Sequence, residues 1–117
     1  MNEDKLYICV LDEFPDFMTP TLVAHAVLRH HIIEEQRDDV NGLDDYERYK
    51  AWLTTSFRKC VVKVNQKEFD KIRCLLNVVE SWENKTLDGD VSCLTIIAKT
   101  DEHKVLKFAK LWKPKKI

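Results

Sequence analysis

Asp12 and Glu13 close an apolar run, Leu6 to Leu11, and His25 sits on a helix that opens one short loop later. A carboxylate within reach of an imidazole is the basic arrangement for general base chemistry. The acid orients the ring, and the ring takes a proton from water or a hydroxyl. The loop between them, Phe14-Pro15-Asp16-Phe17-Met18, leads into Thr19-Pro20, which predicts a hydroxyl N-cap followed by proline at the first helical position. A helix start beyond the carboxyl end of a strand aims several free N–H groups at one point, a common seat for anions in α/β proteins. His25 and Asp12 are therefore the expected catalytic candidates, and Glu13, Phe17, Thr19, Thr21 and Arg29 the expected ligand contacts. Each has a plainer reading beside it. His25 could be half-buried against the sheet, Asp12 and Glu13 an acidic turn or a pair for Arg29, and the two threonines simple caps. Phe14 and Phe17 could stack on a base or plug the core.

His30 and His31, followed by Glu34 and Glu35, invite a metal reading. His25 and His30 are five apart and point to different faces of a helix, unlike the i, i+4 histidines of a helical zinc site. The His30–Glu34 and His31–Glu35 spacings read as surface pairs of a few tenths of a kcal/mol each. No metal and no cofactor is expected.

The chain has 117 residues, one domain's worth, with 19 basic and 20 acidic residues and a formal net charge of -1. That balance argues against a general polyanion binder, though a local basic patch from Arg58, Lys59 and Lys63 is compatible with it. Two glycines, Gly42 and Gly89, are too few for a glycine-rich phosphate loop. No apolar run reaches the roughly 18 residues of a membrane span. The first residues show no signal-peptide pattern, and Cys9, Cys60, Cys74 and Cys93 lie singly in apolar segments, as buried thiols do. These features predict a cytoplasmic protein without a membrane partner.

The elements that must position these groups follow from hydrophobic periodicity. Strands are expected at Leu6–Leu11, Cys60–Val64 and Val91–Ala98. Helices are expected from Pro20 to Gln36, from Asp44 or Asp45 through Leu53, after the capping box Asn65-Gln66-Lys67-Glu68 with a stripe reaching Trp82, and from Asp101 to Trp112 behind a Thr100 cap. This β-α-α-β-α-β-α order predicts a small three-layer α/β domain over residues 1–117, with a three- or four-stranded, mostly parallel sheet and helices on both faces.

The strand ending Val10-Leu11-Asp12-Glu13, the proline-containing loop, and the helix Thr21-Leu22-Val23-Ala24-His25-Ala26 resemble the type-2 peptidyl-tRNA hydrolase superfamily, as do the elements through Lys110-Leu111-Trp112. The family's enzymes cleave the ester between peptide and tRNA without a metal. The resemblance implies a role for His25, which matches the family's His-Ala pair, and for an aspartate in a late loop, for which Asp88 or Asp90 is the loose equivalent. Thr21-Leu22 stands where the family has a glycine-lysine pair, and the glutamine before the histidine is missing. The resemblance therefore implies a protein that binds a nucleotide or a tRNA or RNA end at the strand-one/helix-one junction without the full catalytic set. An active hydrolase with His25 as base is the alternative, and a homodimer interface is left open.

Overall fold

Six consecutive residues of strand β1 (Lys5–Leu11), Leu6 to Leu11, are buried, which requires cover on both faces of the strand. The computed structural model describes residues 2–36, 43–82 and 90–113. It supplies that cover with helices α1 (Thr19–Glu35) and α2 (Leu43–Thr54) on one face and α3 (Gln66–Arg73) and the short α4 (Lys104–Lys107) on the other. Leu6, Ile8 and Val10 point to α1 and α2, where Leu22, Ala26, Tyr49 and Trp52 meet them. Tyr7, Cys9 and Leu11 point the other way, to Phe69, Ile72 and Leu106. Each large side chain fully buried in either layer contributes about 1.5–3 kcal/mol.

The sheet has five strands in the order β3 (Val79–Trp82), β4 (Val91–Ala98), β1, β2 (Arg58–Val64), β5 (Lys110–Leu111). Only β1 and β2 are parallel; β4 runs antiparallel to β1, β3 to β4 and β5 to β2. The expectation of a mostly parallel sheet is therefore wrong, and its error lies in residues 74–82. The capping box is present, with Glu68 N–H donating to Asn65 Oδ1 at 2.8 Å and Asn65 N–H to Glu68 Oε1 at 3.0 Å. The helix it opens stops at Arg73, however, and Asn77 takes a left-handed backbone, φ 69°. Asparagine tolerates that region better than most residues. The chain then returns as an edge strand, with Val79 and Ser81 buried and Glu80 and Trp82 turned outward. A hairpin-like return makes β4 antiparallel to β3 and thus to β1, where an unbroken helix would have delivered a parallel crossover. Leu76, expected in the core stripe, is exposed.

The last helix is likewise shorter than expected. It spans one turn, its N-cap is His103 rather than Thr100, and residues 110–111 pair with β2. Trp112 N–H donates to Val61 O at 2.8 Å, extending that edge.

Candidate ligand groove

The carboxyl end of β1, the start of α1 and the outer end of β3 meet at one end of the sheet, as the registers Val10↔Cys93 and Trp82↔Val91 require. Between α1 and β3 a groove of about 210 Å³ is lined by His25, Leu28, Arg29, Ile32, Ser81 and Trp82. The Arg29 guanidinium lies 3.8 Å above the centre of the Trp82 ring, and its Nε donates to Glu80 O at 2.9 Å. Cation and ring attract through the ring quadrupole. Among the described residues this occupies one nitrogen of Arg29, and the indole keeps 36% of its surface exposed. Glu80 is held by a separate partner, Arg73, at 2.8 and 2.9 Å. That bidentate pair keeps the Glu80 carboxyl below its usual range.

The expected site residues divide between this groove and other places. His25 is exposed and shares the groove with Arg29. Asp12 and Glu13 are exposed at the strand tip and do not line it. Neither pairs with Arg29, which is turned towards β3. Thr21 is exposed on the first turns of α1, and Phe17 is exposed in the short 3-10 turn Asp16–Met18. Phe14, the other loop aromatic, packs against both core layers. Asp88 lies outside the described residues.

Thr19 is not the cap it was expected to be. The 3-10 turn starts the helix one residue early, so Met18 flanks the helix and Thr19 is its first residue. The Thr19 hydroxyl is fully buried, and among the described residues it has no hydrogen-bond partner. The loop before it is tied instead by Lys63, whose Nζ donates to Phe14 O at 3.0 Å and sits 3.4 Å from Asp16 Oδ1. Trp112 Nε1 reaches the same oxygen at 3.4 Å.

Two polar clusters lie elsewhere. His30 and Glu34, read as a surface pair, are both 2% exposed, because their helix face packs on β4. His30 Nδ1 and Thr95 Oγ1 share a hydrogen bond of 2.7 Å, and the His30 ring stacks on Tyr49. His31 Nδ1 bonds Tyr49 Oη at 2.8 Å. Burial, followed by the Glu34 and Glu35 charges, pushes the Tyr49 phenol up to about 12. Among the described residues no group of three His, Cys, Asp or Glu side chains could hold a metal.

The largest concavity, about 940 Å³, lies at the opposite end of the sheet. Glu3, Asp4, Asp101 and Glu102 line it against Arg48, Arg58 and Lys99. Arg48 binds buried Asp4 through two nitrogens, at 2.8 and 3.0 Å, and also both oxygens of Glu102. Its hydrogen bonds to these carboxylates raise the Arg48 guanidinium further above its ordinary value, and the Arg48 bond holds the Glu102 carboxyl down to about 2. Charges this fully matched serve the fold rather than a ligand.

No family model and no curated protein matches this chain. Sequence reasoning found Arg29 and His25 but missed Trp82, which it assigned to a helix stripe. The alternation Val79-Glu80-Ser81-Trp82 was the available signal for a strand with an outward indole.

Proposed function

We propose that this protein is a divergent relative of the type-2 peptidyl-tRNA hydrolases that binds a nucleotide or the end of an RNA beside Arg29 and Trp82. The observation that carries the reading is the guanidinium stacked on a partly exposed indole, with the imidazole of His25 in the same groove. A cation and an aromatic face in one place serve a phosphate and a base together. A volume of about 210 Å³ is smaller than pockets that enclose a whole small molecule, so the groove suits the protruding end of a larger one. The near-neutral net charge fits local contact with an end better than tracking of a long polyanion.

The test is a tryptophan-fluorescence titration of the full chain with a short single-stranded RNA ending in CCA. Saturable quenching is expected. Trp82→Leu should remove the response, and Arg29→Gln should weaken binding about tenfold, as loss of a charge-assisted contact does. An unchanged titration in both variants sinks the reading.

The exposed His25 in that groove favours a second reading, hydrolysis of a peptidyl-tRNA ester with His25 as general base. Release of peptide that His25→Ala abolishes, with binding intact, would establish it. Binding without release would leave the first.

A further inference from the structure

Helix α1 carries only three formally charged side chains, Arg29, Glu34 and Glu35, in 17 residues, and it is apolar nearly all round. One side is spent on the sheet through Leu22, Ala26 and His30. A second set, Thr21, His25, Leu28, Ile32 and Glu35, is exposed throughout. Its spacing of four, three, four and three residues is that of a seam between two helices. Leu28 stands at its middle with 60% of its surface in solvent. Beside this ridge runs an apolar groove of about 610 Å³ between α1 and α2, lined by Val23, Ala24, Val27, Leu53 and Phe57 among others. A ridge next to a groove on one surface is self-complementary about a two-fold axis.

The charges of α1 select the occupant. Its first turn has no acid and its last turn no base, while Glu34 and Glu35 stand at the end where the helix dipole disfavours them. An antiparallel copy of the same helix reverses that fault. With the axis at Leu28, Thr21 lies one heptad before it and Glu35 one heptad after, so each Glu35 meets the positive first turn of the other helix. We infer that the chain forms a two-fold homodimer through α1, with each Leu28 set against the groove of the other copy and each Thr21 facing the partner's Glu35. A parallel pairing would instead bring the two Glu35 carboxylates together. This inference does not rest on the proposed ligand, since Arg29 and Trp82 flank the seam rather than form it.

Sedimentation equilibrium of the full chain from about 1 to about 500 μM covers the range of ordinary dimer affinities. A concentration-dependent dimer is expected, and Leu28→Asp should weaken it more than about tenfold, as loss of a central apolar anchor does. Thr21 supplies the decisive pair of variants. Thr21→Lys should tighten the dimer and Thr21→Glu loosen it, each by about threefold for symmetric surface charge contacts. Adding Glu35→Lys to Thr21→Glu should restore the affinity. An acid in the first turn strengthens an isolated helix, so loosening by Thr21→Glu cannot be charged to unfolding. A chain monomeric over the whole range overturns the inference, as do Thr21 variants that shift the constant the same way. A monomer that binds an amphipathic peptide on this face overturns it too.

Discussion

The two ends of the sheet carry similar groups and use them in opposite ways. At the end where β1 begins, Arg48 is surrounded by carboxylates and every strong donor it has is matched. At the end where β1 finishes, Arg29 has a ring beneath it and one carbonyl beside it. The larger concavity is at the first end, yet the chemistry available to a ligand is at the second. A cation already satisfied by two acids is structural, whereas one parked on an aromatic face gives up little when a phosphate arrives.

The contrast can be broken by exchanging the arginines' fates. Arg48→Ala strands the buried Asp4 carboxylate and should cost about 2–3 kcal/mol, read as a lower urea midpoint. A loss no greater than that of a typical surface substitution would show that the network holds nothing together.

Acid should dissect the same cluster. Glu102 has its folded pKa depressed to about 2 from 4.5, so its contribution is complete above about pH 4.5 and fades as pH falls towards 2. Denaturant melts across that window should show the decline in the wild type and a flatter profile in Arg48→Leu.

Lys63→Met removes the ammonium that ties Phe14 O and Asp16, and an effect of about 1 kcal/mol is expected. Amide exchange should quicken over residues 12–18 more than over the strands. Uniform quickening would mean that Lys63 supports the sheet instead of the loop.

Arg29→Ala is the smallest of the four in stability, within about 1 kcal/mol, since it gives up one partly exposed cation–π contact and one hydrogen bond. The same variant should show the largest loss of RNA binding. A large stability loss without a binding defect would put Arg29 in the same class as Arg48.

Much of the frame was legible locally. The apolar run 6–11 could only be a covered strand, and the Asn65–Glu68 box announced α3 within a residue. The candidate site was half legible. Arg29 and His25 were named because cations and imidazoles advertise themselves, but an indole at Trp82 reads equally well as core, and local pattern does not say which way it faces. His30 and Glu34 went astray for the same reason. Their polarity suggested water, and only the packing of α1 on β4 shows that the sheet offers Thr95 as a partner instead.

By itself the sequence determined the covered central strand, the long first helix and the capped third one, because each is decided by interactions a few residues apart. Tertiary structure decided where α3 ends, that residues 79–82 and 110–111 join the sheet, and that the sheet is mixed. Short segments such as these suit more than one period, and the balance is tipped by hydrogen bonds to β4 and β2, strands distant in sequence or not yet formed when only local preference acts.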